Sequence, residues 1–342
     1  MNVVIKKKKI NIALQSVGTH AAFSWGVIDK LLEDGRFEIE GCSSVSAAGI
    51  MCTAMVHGFQ KNGSQGARDI LLEFWKMINK EGTRKGLYPS AFDKLYSVHG
   101  IKTSPFALMM NAIHAAHLSP QQWNPSGYQL YKQLLQDFFD TDEVSTHDGI
   151  KLFLSAINVR TCKLRIFSNK DLNYEKLIAL SCAPTYIDAV EVDGEHYWGG
   201  DYIGNPALYP LIYECESPDI VVILIHPREV TTTPKSFEDI VQRMQGLFIT
   251  NTLIREMRSV QYITSLIEQG IADKNRLKHV NVHVIEDNDF FVGLDATSKF
   301  NTDWDFLLTL FEKGREAAQK WIDSSYDKVG HDSSSDIKKM FM

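Results

Sequence analysis

Two strand-turn-helix units stand one after the other near the N-terminus, and they restrict the fold more than any other feature of the chain. Residues 10–15, Ile10-Asn11-Ile12-Ala13-Leu14-Gln15, have the length and apolar character of a short buried strand. After a turn, Phe23, Val27, Ile28, Leu31 and Leu32 recur at helical spacing within residues 21–33. Residues 38–43 then repeat the pattern, a strand running straight into a turn and into a helix rich in small residues over 47–56. Alternation of this kind predicts an α/β fold, a mainly parallel sheet covered by helices.

The remaining chain extends that pattern. Helices are predicted over 66–79, 127–139 and 174–181, and a strand over 151–159 pairs with one over 163–168 as a hairpin. The run Ile220-Val221-Val222-Ile223-Leu224-Ile225 is the clearest buried strand; a long helix over 236–268, a strand over 280–285 and a last helix over 304–321 follow. Between 83 and 126, Tyr88, Pro89, Phe92, Pro105, Phe106, Met109 and Met110 give a loop-rich insertion of the kind that serves as a lid or binding wall. His114 and His117 in it fit a helix surface better than a metal site. Residues 1–330 read as one domain, without internal repeats or linker, and 331–342, with Ser333, Ser334 and Ser335, as a mobile tail.

Composition excludes several classes. With 342 residues, 44% of them hydrophobic, the chain can bury a sizeable core. A formal charge of -6 and the lack of any nucleic-acid-binding motif set nucleic acid aside as a partner. The cysteines at 42, 52, 162, 182 and 215 are odd in number and contain no C-x-x-C pair, which argues against a disulfide framework and a zinc knuckle and for a reducing, cytoplasmic setting. The apolar stretch after Lys6, Lys7, Lys8 and Lys9 is too short for a signal-peptide core or a membrane span. Those lysines have the charge for peripheral contact with an anionic membrane, about 1 kcal/mol each near acidic lipid; the plainer reading is a solvated lead-in to the first strand.

Chemistry would sit on the two N-terminal turns, Ser16-Val17-Gly18-Thr19-His20-Ala21 and Ser44-Val45-Ser46-Ala47-Ala48-Gly49. A nucleophile on a strand-to-helix turn stands above the sheet, and backbone N–H groups at a helix start can hold an oxyanion. Taken alone, Ser46 reads as a helix N-cap.

Residues 12–15 with Ala22-Phe23-Ser24-Trp25-Gly26-Val27, then Ile39-Glu40-Gly41, Val192-Asp193-Gly194-Glu195-His196-Tyr197-Trp198, and the stretches 202–208, 212–220 and 301–307 resemble the patatin-like phospholipase family, in its soluble bacterial subgroup, along nearly the whole chain. The resemblance implies a patatin-like three-layer α/β fold and a serine lipid hydrolase of phospholipase A type, acting on phospholipid or acyl-ester lipid with a Ser-Asp dyad and with no metal or cofactor. It implies Ser46 as nucleophile, Asp201 as the remaining candidate for the base, and Gly18 and Thr19 in the oxyanion turn.

The motifs themselves depart from the family. Ser16 and Ala21 stand where the oxyanion turn has glycine, with Val17 where many members have a third, and Ser44 and Ala48 replace the glycines around Ser46. Local strain is expected at Val17 and beside Ser46, because β-branched and other Cβ-bearing residues tolerate positive φ poorly. In place of Asp-Gly-Gly the chain has Gly199-Gly200-Asp201, and two residues of extended chain displace a carboxylate by roughly 6–7 Å. Changes confined to motifs between well-matched flanks point to deliberate or selected disruption, natural or engineered. The expectation is a retained scaffold with hydrolysis lost or strongly impaired; the alternatives are an active phospholipase A or esterase using Ser46 with Asp201, and a non-catalytic lipid- or protein-binding module built on the insertion. Bases other than Asp201, namely His20, His196, Glu195 and Asp193, have little support.

Overall fold

A computed structural model describes residues 7–84, 119–184, 186–201, 203–273, 275–294 and 298–342. Of the insertion, 85–118 lies outside the described residues, and His114 and His117 with it.

The elements run β1 (Lys8–Leu14), a 3-10 turn (Gly18–His20), α1 (Ala21–Asp34), β2 (Phe37–Ser44), α2 (Ser46–Arg84), α3 (Pro120–Trp123), α4 (Gly127–Phe138), α5 (Thr141–Ser145), β3 (Lys151–Asn158), β4 (Leu164–Ser168), α6 (Tyr174–Ser181), β5 (Val190–Val192), β6 (Glu195–Gly199), α7 (Tyr209–Glu214), β7 (Asp219–Ile223), α8 (Phe237–Glu268), β8 (Asn281–Ile285), α9 (Asn288–Val292), α10 (Trp304–Ser325) and α11 (Ile337–Phe341). The two helices expected over 47–56 and 66–79 both lie in α2, which breaks at Asn62 and Gly63, where φ is -152° and 55°. Sequence periodicity did not show the short β5–β6 hairpin.

All eight strands form one sheet, with β2, β1, β7, β8 and the start of β3 parallel. Alternate residues feed opposite cores. Ile10, Ile12, Leu14, Val221, Ile223 and Ile225 pack with α1, α2, α6 and α10, whereas Ala13, Ile220, Val222 and Leu224 pack with α7, α8 and α11. Strands buried on both faces read as unbroken apolar runs, which is why β7 was so legible. On the first face α1 and α10 cross at two glycines: a Cβ on Gly26 would meet the Phe311 carbonyl oxygen, and one on Gly314 that of Phe23.

β3 carries the arrangement on which the site depends. Leu154 pairs with Ser44 on one side and Phe167 on the other, while Ala156 pairs with Gly199 and Arg165. β4 therefore occupies one edge of β3 throughout, and β2 and β6 share the other edge, meeting end to end. Ser44 and Gly199 are thus offset by only two positions along β3, with Ser155 between their partners, a gap of about 6–7 Å.

Residues 331–342 are not a free tail. β8 ends the sheet, and an edge strand presents N–H groups that need acceptors. Ser333 Oγ accepts from Val282 N at 3.0 Å and Ser335 Oγ from Val284 N at 2.8 Å, while Ser335 N donates to Val282 O at 3.2 Å. Between them Ser334 N donates to His283 Nδ1 at 3.3 Å, which leaves Nε2 to donate to Asp219 at 3.0 Å. Ile337 and Phe341 are buried beyond. Low-complexity serine reads as disorder only while the edge it caps is unknown. Nor is the lysine run wholly a solvated lead-in, since Lys8 Nζ donates to the carbonyls of Tyr326 and Val329 at 2.8 and 2.9 Å. Among the described residues no helix is long and apolar enough to cross a membrane, and no His, Cys, Asp and Glu cluster could hold a metal.

Burial alone would raise the Asp219 carboxyl, but hydrogen bonds from His283, Gly330 and Asn281 outweigh it and hold the group below its ordinary value. A lowered carboxyl stabilises the fold above its unfolded pKa, and that contribution is lost as pH falls through the folded one. Asp219→Asn is expected to cost on the order of 1–3 kcal/mol at neutral pH and to speed hydrogen exchange at Val282, Val284 and Gly330, as read by urea denaturation and exchange mass spectrometry.

Candidate active site

The first turn begins where β1 ends. Gln15 N donates to Ile223 O at 3.1 Å and its Oε1 accepts from Ile225 N at 3.0 Å, so β1 stays fastened to β7 past its last residue. The reversal then falls on Gly18, at φ +54°, where a Cβ would lie 2.2 Å from the Lys299 carbonyl oxygen. Glycine is demanded twice there, by conformation and by close approach. Val17 has φ -145°, extended backbone open to any residue, so the strain expected at Val17 does not arise. The first bond of the 3-10 turn runs from His20 N to Val17 O at 3.2 Å. Gly18 and Thr19 thus precede any intrahelical acceptor, and their N–H groups have no other among the described residues.

The second turn holds Ser46 at φ +52°. Among the described residues, the other non-glycine residues with positive φ are Cys162 and Asp193, both at hairpin tips; Ser46 instead opens α2 directly after β2. Such a conformation is uncommon for a residue with a Cβ, and it persists only where the surroundings impose it. An N-cap serine would accept from the N–H groups that follow it. Here Ala48 N donates to Ser16 Oγ at 3.2 Å and Gly49 N to Val45 O at 2.9 Å, so the N-cap role is filled by neighbours. Ser46 Oγ, half-buried, makes no hydrogen bond among the described residues. Ser44 takes no positive φ either; it ends β2, and its hydroxyl donates to Leu14 O at 3.1 Å.

The third segment meets the second on the free edge of β3. Gly199 N donates to Cys182 O at 2.9 Å, and then the chain coils, with Ile203 N and Gly204 N both donating to Gly200 O at 3.0 and 2.9 Å. Because it coils, Asp201 folds back: its Oδ2 lies 3.0 Å from the point a Cβ on Gly199 would occupy. The turn works against the displacement expected of an extended chain, bringing the carboxylate back to 3.0 Å from where a residue-199 side chain would start.

Two residues not singled out from the sequence as functional bind the segments together. Asn205 Oδ1 accepts from Ser16 N at 2.7 Å and its Nδ2 donates to Ser16 O at 2.8 Å, while Ser43 Oγ donates to Ala207 O at 2.5 Å. Ser16 therefore joins the loop after β6 through its backbone and the start of α2 through its hydroxyl. Asn205 is fully buried and Ser16 1% exposed, so these bonds act away from competing water. A polar residue bounded by Gly204 and Pro206 was the available signal.

Burial pushes the Asp201 carboxyl up to about 7, only partly opposed by a hydrogen bond from its own backbone. His20 is driven down to about 3 by burial first and by His226 and Lys299 second; neutral, it contacts Ser298 Oγ at 2.8 Å and packs against Phe291 and Phe306. Glu195 is paired with Arg160 at the start of β6, Asp193 is at the hairpin tip and His196 is exposed. A cavity of about 460 Å³, lined by His226, Val230, Lys235, Arg243 and Phe291 among others, opens beyond the end of β7.

Fold and site together define a mainly parallel α/β protein with a serine at positive φ on a strand-to-helix turn and a carboxyl of raised pKa on the adjoining loop. No family model matches the chain, and no curated protein matches its sequence. Solved structures similar to it include VipD from Legionella pneumophila, with a TM-score of 0.39 and 11% identity over 93% of this chain and 67% of VipD. Another is full-length ExoU from the type III secretion system of Pseudomonas aeruginosa, in complex with SpcU, with a TM-score of 0.32 and 11% identity over 92% of this chain and 53% of the other. The chain thus spans about two thirds of the first and about half of the second.

Gly18→Ala is expected to lower stability by about 1–3 kcal/mol through the collision with Lys299 and the positive φ, measured by urea denaturation. A carboxyl raised in the folded state stabilises it below the unfolded pKa, and that contribution disappears as pH rises through the folded value. Wild type should therefore lose on the order of 1–3 kcal/mol relative to Asp201→Asn between pH 4 and 8; parallel pH–stability curves would contradict the burial of that charge.

Proposed function

We propose that the protein is a serine acyl hydrolase of lipid esters, phospholipid or acyl-glycerol, in which Ser46 is the nucleophile and Asp201 the base. The observation that carries this reading is Ser46 itself: a Cβ-bearing residue at φ +52°, opening a helix without capping it, with a hydroxyl that makes no hydrogen bond among the described residues. Structural demands alone would favour glycine or a capping serine there. Asp201 supports it by folding back toward Gly199, whose partner on β3 lies two residues from that of Ser44, and by a pKa near neutrality, where a base is most effective.

In the proposed reaction, Asp201 takes the Ser46 proton as Oγ attacks the ester carbonyl carbon. Negative charge on the carbonyl oxygen is met by the N–H groups of Gly18 and Thr19, with Ala47 N–H next to the nucleophile. Collapse breaks the C–O bond, Asp201 returns the proton to the leaving alcohol, and the acyl group stays on Ser46. Water, deprotonated by Asp201, then attacks the acyl carbon and releases the fatty acid, restoring Ser46. Every step uses this chain's own groups.

A second reading, a scaffold that binds lipid with hydrolysis lost or strongly impaired, is favoured by one observation. Ser16 Oγ occupies Ala48 N–H, and side chains at 16 and 17 stand in a turn that must admit an oxyanion. Hydrolysis of a short-chain p-nitrophenyl ester and of a fluorogenic phospholipid separates the two. Turnover should rise with pH through about 7 as Asp201 loses its proton, and Ser46→Ala and Asp201→Asn should each reduce it ~10²–10⁴-fold. Wild-type rates no higher than those of Ser46→Ala would establish the second reading.

A further inference from the structure

The long helix α8 has two opposite faces. Gly246, Thr250, Leu253, Met257, Val260 and Thr264 are buried, with Leu253, Met257 and Val260 in the core beneath β7. The opposite face, within an arc of about 100°, presents Ile240, Met244, Leu247 and Phe248, exposed by 43, 50, 53 and 55%, and continues through Asn251, Arg255 and Arg258 to Tyr262, exposed by 65%. Large apolar side chains at i, i+4, i+7 and i+8 left in water form a contiguous patch of the kind that marks an interaction surface. Between 240 and 262 that face holds no aspartate or glutamate, although the chain has 42 acidic residues and a net charge of -6. Arg255 and Arg258 form no ion pair among the described residues.

The patch adjoins the candidate site. Lys299 Nζ donates to Gln245 on α8 at 2.8 Å, and the Lys299 carbonyl oxygen is the atom that a Cβ on Gly18 would meet. Exposed Val230, Val292 and Phe300, from three other segments, extend the apolar surface at this end. Arg243, on the same turns of the helix, donates to the carbonyls of Pro227 and Arg228, at 3.3 and 3.2 Å.

We propose that this face of α8 docks the protein onto an anionic lipid surface, with Ile240, Met244, Leu247 and Phe248 entering the headgroup–acyl boundary and Arg255 and Arg258 meeting lipid phosphates. An apolar stripe followed by unpaired arginines and an interfacial tyrosine on one helix face, free of carboxylates, complements a surface that is apolar below and negative above. Docking there sets the Gly18 turn beside the bilayer. The role extends the acyl-hydrolase reading but does not need turnover.

The test is flotation of the full-length chain, and of its Ser46→Ala form so that hydrolysis leaves the vesicles intact, with vesicles of phosphatidylcholine alone or mixed with phosphatidylserine. The mixed vesicles should carry both forms, less so as salt rises. Met244→Ser combined with Phe248→Ser should cut the bound fraction about tenfold or more, and Arg255→Gln with Arg258→Gln should abolish the preference for phosphatidylserine. Tyr213→Ser, at a 75% exposed position on α7, should change nothing. Failure of the unmodified chain to float, or equal flotation of the stripe variants, would overturn the proposal. So would a wild-type dimer that the stripe variants turn into monomers in light scattering, because the face would then join two copies of the chain. Loss of turnover with flotation intact would sink the hydrolase reading alone.

Discussion

One edge of β3 governs the molecule. Two strands use it from opposite ends: β2 runs up it as far as Leu154, and β6 comes down it as far as Ala156. Neither can extend without displacing the other, so both chains must turn away at the same place. Ser46 lies on one of those turns and Asp201 on the other. Sheet pairing, a sequence-independent hydrogen-bonding pattern, thus brings together residues more than 150 positions apart.

Keeping the turns in place is costly, and the cost is met by neighbouring hydrogen bonds. A serine at positive φ and a carboxyl in poorly solvated surroundings each raise the free energy of the native state. Against them stand the paired bonds between Asn205 and Ser16, the Ser16 hydroxyl on Ala48 N–H, and Ser43 and Ser44 on backbone carbonyls of the facing segments. All are buried, where hydrogen bonds are strong and their loss leaves unsatisfied groups. Ser16, which stands where glycine is expected when the turn is read by itself, is thereby the residue that joins the three segments.

Legibility followed locality. The buried run ending in Ile225, the helical spacing from Phe23 to Leu32 and the β3–β4 hairpin were readable because each depends on a few adjacent side chains. Three readings failed for want of a distant partner. Ser333, Ser334 and Ser335 read as a mobile tail, since only β8 supplies the N–H groups they cap. Val17 read as strained, since only the tertiary path put the positive φ on Gly18. The apparent displacement of Asp201 assumed extended chain, since the coil closed by Gly200 O involves contacts the linear order does not show.

By itself, then, the sequence determined the class of fold, the two N-terminal turns and the residue types available on them, because apolar periodicity and the punctuation of turns act over one or two helical turns or a single strand. Tertiary structure alone decided that Ser46 is held in a strained conformation instead of capping its helix, that Asp201 folds back toward Gly199, and that one face of α8 stays apolar and free of acid. Those outcomes rest on which strand edges pair and which helix faces find a core, and such choices are made by the chain as a whole.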